Sequence, residues 1–173
     1  MRQELLIGCG VSRKKMIWIG EDHKTFGEGL ITLDINPDRN PDVVWDLENL
    51  PLPFDDNMFD EVHAYHVLEH LGSQGDYKQF FGLFSEIWRI MRPGGFFMCA
   101  VPNSQSQWAF GDPSHKKIVH PYQFGFLNQE YMRSEVERGS MASDFRYIYK
   151  ADFGIVSSQS DDNQFCIILG VIK

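Results

Sequence analysis

Residues 76–102 read Asp-Tyr-Lys-Gln-Phe-Phe-Gly-Leu-Phe-Ser-Glu-Ile-Trp-Arg-Ile-Met-Arg-Pro-Gly-Gly-Phe-Phe-Met-Cys-Ala-Val-Pro. Within them Tyr77, Phe80, Phe81, Phe84, Ile87, Trp88 and Met91 recur at intervals of three and four, the spacing that gathers side chains onto one stripe of a helix. Pro93-Gly94-Gly95 stops that stripe, so a helix is expected over Asp76–Arg92. Phe96–Val101 follows as an unbroken apolar run ended by Pro102, the pattern of a central parallel strand covered on both faces. Upstream, Asp60–Tyr65 is a strand candidate, followed by a short helical turn at His66–Leu71. Strand, helix and strand in that order form a crossover unit and point to an α/β fold.

The same alternation extends in both directions. Gln3–Ile7 is a short apolar strand that runs into Gly8-Cys9-Gly10, and paired glycines belong where a turn needs positive φ or close backbone approach. Leu30–Ile35 is a buried-type strand stopped by Asn36-Pro37, and Val43–Trp45 is another that ends before Asp46. Between the first two strands, Val11–Gly29 carries no amphipathic helical pattern, so the first crossover helix is expected to be shortened or missing. Met16–Ile19 reads equally as edge strand or short helix. On the C-terminal side, residues 104–126 form a long aromatic and polar loop, which at that length is expected to be a functional lid. A short helix is expected around Asn128–Glu137, then a terminal antiparallel hairpin from Phe145–Tyr149 and Phe165–Ile172 on either side of Ser157–Asn163. No repeat or linker divides the chain, so residues 1–173 read as one doubly wound, Rossmann-like domain with a mostly parallel sheet.

The composition narrows the function. Sixteen Lys and Arg against 24 Asp and Glu give a formal charge of −8, the wrong sign for holding duplex DNA or an anionic membrane by the whole surface. Arg13-Lys14-Lys15 and Lys116-Lys117 are read as solvated faces, with a basic rim at the site as the alternative. The opening apolar run is too short for a signal peptide, and no stretch approaches the ~18 apolar residues of a membrane span. A cytoplasmic protein without membrane contact is expected. Cys9, Cys99 and Cys166 are odd in number and lack a C-x-x-C pair, so neither a disulfide framework nor a structural zinc site is indicated.

In a doubly wound sheet, ligands bind outside the carboxyl ends of the strands. Those ends carry, in order, Gly8-Cys9-Gly10, Asp34, Asp46 and His66. A glycine turn lets backbone approach a ligand. A carboxylate at the next strand end can accept both hydroxyls of a ribose, and a second one strand further on can take the exocyclic amine of a base. Taken singly, Gly8-x-Gly10 is equally a tight turn, and Asp34-Ile35-Asn36-Pro37 equally a strand-ending turn. Their register along one sheet carries the reading.

At these residues the chain resembles the class I S-adenosylmethionine-dependent methyltransferases, in particular small bacterial and phage-type members with a domain like methyltransferase type 11. The resemblance rests on Leu6-Ile7-Gly8-Cys9-Gly10, Leu33-Asp34-Ile35-Asn36-Pro37, Trp45-Asp46-Leu47-Glu48, Val67-Leu68-Glu69-His70-Leu71, Arg92-Pro93-Gly94-Gly95 and Val101-Pro102-Asn103. It implies a seven-stranded sheet with a reversed final hairpin and S-adenosylmethionine as cofactor. It also implies that Gly8 and Gly10 lie beside the methionine portion, that Asp34 holds the ribose, that Asp46 and Leu47 contact the adenine, and that His66 faces the transferred methyl, with Cys9 and Ile35 as further cofactor-binding residues. The chain departs from the family at Leu6, where an acidic residue is usual, and at Ser12, which replaces a third glycine. A dinucleotide dehydrogenase is disfavoured, because Arg13 occupies the last glycine position of G-x-G-x-x-G.

A sulfonium is already electrophilic, so methyl transfer asks mainly for alignment and for removal of the acceptor's proton. His115 is the first candidate base or substrate contact, because an unperturbed histidine titrates near neutrality; Lys116, His120 and Tyr122 are further candidates for substrate contact. Two rival readings remain. His66-x-x-Glu69-His70 matches the H-x-x-E-H zinc-hydrolase signature, although Gly72 closes that helix almost at once. The other is a non-catalytic S-adenosylmethionine-binding or scaffold protein, motivated by Leu6 and Ser12. Ala64-Tyr65-His66-Val67 lacks the Pro-Pro-aromatic motif of DNA amino-methyltransferases and no Pro-Cys occurs, so a small-molecule acceptor is preferred to a DNA base.

Overall fold

The computed structural model describes residues 2–173. Seven strands make one sheet: β1 (Glu4–Ile7), β2 (Leu30–Asp34), β3 (Val43–Val44), β4 (Phe59–Tyr65), β5 (Met91–Pro102), β6 (Asp152–Ser160) and β7 (Gln164–Ile172), in the spatial order β3-β2-β1-β4-β5-β7-β6. The strands β1 to β5 pair in parallel, and β7 inserts antiparallel between β5 and β6. The chain reverses outward at β1 and crosses back to β4, so the carboxyl ends of β1, β2 and β4 meet at the point where the strand order changes direction.

Helix α1 (Tyr77–Ile90) makes the crossover from β4 to β5. Asp76 caps it by accepting from Gln79 N–H at 3.1 Å. The helix ends two residues before the expected Arg92, because Met91 already pairs with Phe59 in the sheet and the residue before Pro93 is disfavoured in helical conformation. Its stripe buries Phe81, Leu83, Phe84, Ile87 and Ile90. Phe84 sits at the centre, with the rings of Phe80, Phe97, Phe124 and Phe153 between 4.9 and 6.2 Å away. Truncating such a side chain to Ala costs roughly 3–5 kcal/mol. Arg89 ties the helix to the loop before β4, its guanidinium donating to the carbonyls of Leu52 and Phe54 and to Asp56 and Glu86.

The opposite sheet face has no helix of comparable length between β1 and β4 among the described residues; only the short 3-10 turns Glu21–His23 and Pro37–Arg39 occur there. The missing first crossover helix is thus borne out. Met16–Ile19 is neither strand nor helix but irregular chain, and Ile17 packs with Met98, Ala100, Cys166 and Ile168. Lys15, expected as part of a solvated or rim cluster, is buried between Glu4 and Glu61 with its ammonium 2.5 Å from each. Lys15 is therefore part of neither a solvated face nor a rim at the site.

Two C-terminal expectations need correction. Phe145–Tyr149 is a turn rather than a strand, because Phe145 and Tyr149 stack on Phe81 and cover α1. The hairpin is instead β6 and β7, so Ser157–Ser160, expected in the connecting loop, belong to an exposed edge strand. The segment 104–126 contains α2 (Trp108–Gly111) and most of a 3-10 helix at Pro121–Leu127, and α3 (Gln129–Glu137) follows close to its expected place.

Candidate functional site

The site grows from the end of β1. Ile7 leads into Gly8 with φ 61° and Gly10 with φ 52°, a left-handed region that other residues enter only at a cost. A Cβ on Gly8 would lie 2.3 Å from Val67 Cγ2, whereas one on Gly10 would meet nothing within 4 Å. Gly8 therefore serves packing, whereas Gly10 has open space on its Cβ side and its carbonyl accepts from the Arg13 guanidinium at 2.9 Å. Cys9 between them donates its N–H to Leu33 O at 3.2 Å, and burial pushes its thiol above the ordinary range.

Asp34, at the end of β2, is only 8% exposed. Its Oδ2 accepts from Gly10 N–H at 2.8 Å and its Oδ1 from Asn36 N–H at 2.9 Å. A carboxylate offers about four lone-pair positions, so two remain for a ligand. Trp45 N–H donates to Asp34 O at 3.0 Å, which carries the chain into Asp46 and Leu47. Asp46 Oδ1 accepts from Glu48 N–H at 2.9 Å and leaves the other oxygen free of protein donors. From β4 comes His66, with φ 56° and its N–H on Ala100 O at 2.8 Å. The carboxylate of Glu69, 3.5 Å from Nδ1, raises the His66 pKa against the opposing effect of burial.

These pieces enclose a cavity of about 300 Å³ walled by Gly8, Asp34, Ile35, Asp46, Leu47 and His66 together with Trp45, Glu48, Val67, His70, Leu71 and Lys116. Of the expected cofactor residues, all but Cys9 and Gly10 line it; those two form the turn at its edge. Glu48 and His70 were not expected on the wall, although both stand in the quoted motifs. Glu48 accepts from Gly72 N–H at 2.6 Å and from Lys116 Nζ at 2.9 Å, and these bonds hold its carboxyl below the usual range. Through Lys116 the 104–126 segment reaches the cavity.

His115 lies outside the cavity wall, with Nε2 4.0 Å from Glu69 Oε1 and its ring edge-on to His70 at 4.8 Å. Tyr122 is 79% exposed and stacks on His120, away from the cavity. The structure therefore brings Lys116 to the site, sets His115 behind it and leaves Tyr122 and His120 apart. The zinc-hydrolase geometry is also missing: Leu68–His70 is a single 3-10 turn, and His66 precedes it in left-handed conformation.

A family described as a methyltransferase domain matches residues 5–99 of this chain. Among curated proteins, the sterol 24-C-methyltransferase of Pneumocystis carinii is 28% identical over 76 residues, which are 44% of this chain and 19% of that protein. The chain thus spans about a fifth of the length of that relative. Among solved structures, a SAM-dependent methyltransferase from Archaeoglobus fulgidus aligns with TM-score 0.59 and 20% identity over 98% of this chain and 86% of its own. Another from Aquifex aeolicus gives TM-score 0.60 and 12% identity over 99% and 82%. At such identities the likeness is one of fold. No helix among the described residues is long and apolar enough to cross a membrane.

Proposed function

The chain belongs to the class I S-adenosylmethionine-dependent methyltransferase family, and from that premise we propose that it transfers a methyl group to a small-molecule acceptor at the cavity beside β1, β2 and β4. The observation that carries the reading is the Asp34 carboxylate, fixed by Gly10 and Asn36 N–H groups with lone pairs to spare. The cofactor, S-adenosylmethionine, supplies a methyl group on a positively charged sulfur. The residues present fit such a group: Asp34 to accept two ribose hydroxyls, Ile35 and Leu47 to flank an adenine, the free oxygen of Asp46 to accept an amine, and the glycine turn at Gly8 on the cavity wall, with free space beside Gly10, to admit the methionine portion. His66 stands on the wall where the acceptor would enter and orients it by hydrogen bonding. The Glu48–Lys116 pair lets the 104–126 segment act as a lid that limits water at the reacting groups. A small acceptor is supported by the net charge of −8, which repels nucleic acid.

Calorimetry with S-adenosylhomocysteine, followed by an assay for its release from S-adenosylmethionine over a panel of hydroxyl, amine and thiol acceptors, tests this. Saturable binding with acceptor-dependent release is expected. Binding without release over the panel would favour a non-catalytic cofactor-binding protein, and no binding would overturn both readings.

A further inference from the structure

Behind the His66 end of the cavity, one buried carboxylate has no lysine or arginine against it among the described residues; imidazoles are its neighbours, His66 Nδ1 at 3.5 Å and His115 Nε2 at 4.0 Å. Glu69 is 2% exposed, and neither carboxylate oxygen has a hydrogen-bond partner. The nearby lysines are engaged elsewhere: Lys116 pairs with Glu48, and the Lys117 ammonium lies over the Phe80 ring. Their backbone N–H groups donate to the Glu69 carbonyl, not to its side chain. A buried, unpaired carboxylate is costly, so its surroundings should supply a cation. What the fold places there are imidazoles. A carboxylate oxygen of Glu69 and ring nitrogens of His70 and His115 all lie within 4.8 Å of one another. His115 Nδ1 is itself buried without a partner.

We infer that Glu69, His70 and His115 bind a divalent first-row transition-metal ion beside the transfer cavity. Two imidazoles and one carboxylate suit Zn²⁺, Mn²⁺, Fe²⁺ or Co²⁺ better than Mg²⁺ or Ca²⁺, which favour all-oxygen shells. The site is built. Ser114 O accepts from His70 Nδ1 at 3.2 Å and holds that ring, while Ser114 is fixed in turn by Asp112 Oδ1, 2.6 Å from its hydroxyl and 2.8 Å from its N–H. Asp112 Oδ2 also stands 4.0 Å from His115 Nε2. Three protein ligands leave open positions for water or an acceptor oxygen, and His70 lines the cavity from which one would come. The other grouping of this kind, Glu4, Glu61 and His63, differs in the decisive respect: the Lys15 ammonium already occupies it.

The test uses the full chain, stripped with a chelator and titrated with Co²⁺ and Zn²⁺ by calorimetry and, for Co²⁺, by visible absorption. No cofactor is added, so its outcome is independent of the methyl-transfer reading. One equivalent is expected to bind with nitrogen and oxygen ligation and to raise the unfolding temperature by mass action. Glu69→Gln and His115→Ala, checked as folded by circular dichroism, are each expected to weaken binding by more than the ~10–100-fold that loss of an outer-shell partner costs. Absence of binding to the parent chain overturns the inference. So does a cobalt-thiolate absorption band, which would place the ion on a cysteine, and so does unchanged affinity in a folded Glu69→Gln protein.

Discussion

Replacing Asp34 by Ala separates the two jobs that its carboxylate performs. In the folded chain it accepts from Gly10 N–H at 2.8 Å and Asn36 N–H at 2.9 Å, and hydrogen bonds to a charged group contribute about 1.5–3 kcal/mol each in favourable settings. Water can reach part of the turn once the side chain is gone, so the expected net loss of stability is roughly 1–3 kcal/mol for the pair. For a chain of this size each kcal/mol lowers the unfolding temperature by about 2–4 °C. Two further lone pairs are proposed for the ribose hydroxyls, and losing those contacts is expected to cost roughly 2–3 kcal/mol, or about 30–150-fold in affinity for S-adenosylhomocysteine. Calorimetry below the unfolding range of both proteins measures it. A 2′-deoxy analogue closes a double-mutant cycle: the parent chain should discriminate between the two ligands, and Asp34→Ala should not. Lowered stability with unchanged S-adenosylhomocysteine affinity would show that Asp34 only staples the turn, and the cofactor assignment along β2 would fall with it.

Gly8→Ala is expected to destabilise by roughly 2–5 kcal/mol, combining left-handed backbone strain with a 2.3 Å approach to Val67 Cγ2. Adding Val67→Ala should recover only the steric part, as read by urea unfolding; full recovery would contradict the backbone argument. Arg89→Lys should cost about 1–3 kcal/mol, because one ammonium cannot reproduce a planar fork that reaches Leu52 O, Phe54 O, Asp56 and Glu86 at once. Lys15→Met leaves Glu4 buried without a cation and Glu61 with Arg2 alone, and should cost about 3–5 kcal/mol at neutral pH, with little loss contradicting the burial of Lys15 between them. Acid should lower the stability of the parent chain over two pH ranges. Burial lowers the His63 pKa from its usual 6.5, so as pH falls below that value the unfolded chain takes up the proton first and stability declines. Burial raises the Glu61 carboxyl, but hydrogen bonds from His63 and Lys15 outweigh it and hold the pKa at about 2, so its contribution is complete above the usual 4.5 and is lost as pH falls toward 2. A urea midpoint that stays flat from pH 8 to pH 5 would refute the His63 assignment, and one that stays flat from pH 4.5 toward pH 2 would refute that of Glu61.

What could be read directly from residues was whatever imposes a period or a stop. The intervals of three and four from Tyr77 to Met91 fix α1, the apolar run Phe96–Val101 fixes the paired part of β5, and strand ends marked by Gly8, Asp34 and His66 converge as expected. The hairpin differs from its sequence expectation because burial, not pattern, distinguishes its parts. Phe145 and Tyr149 look like strand residues but spend their apolar surface on Phe81, while β6 keeps only Phe153 deeply buried and shows solvent a polar edge from Ser157 to Ser160. The proposed acceptor side is least legible. Whether a loop histidine faces the cavity depends on long-range contacts such as those of Lys116 and Lys117 N–H with Glu69 O, and nothing near His115 in the chain encodes them.

The segment Val11–Gly29 shows how such a fold survives without its first crossover helix. A helix would cover the second sheet face with apolar side chains; an extended chain covers less area per residue and must hold its place by specific bonds. Here Ile17 fills the apolar end, over Met98, Ala100 and Cys166, and its N–H donates to the Tyr65 hydroxyl at 3.3 Å. At the other end the face carries Glu4, Glu61 and His63, residues that a helix would leave unpaired, and the segment brings Lys15 to Glu4 and Glu61 and Gly27 N–H to Glu4 Oε2 at 2.6 Å. Removing one partner of a buried ion pair costs far more than the pair contributes over apolar packing. The charges therefore fix the path of the segment more than they add stability, and the path matters because the segment leaves directly from Gly8 to Gly10, the turn beside Asp34. The unusual first crossover and the proposed cofactor site are thus one structural unit, joined through β1.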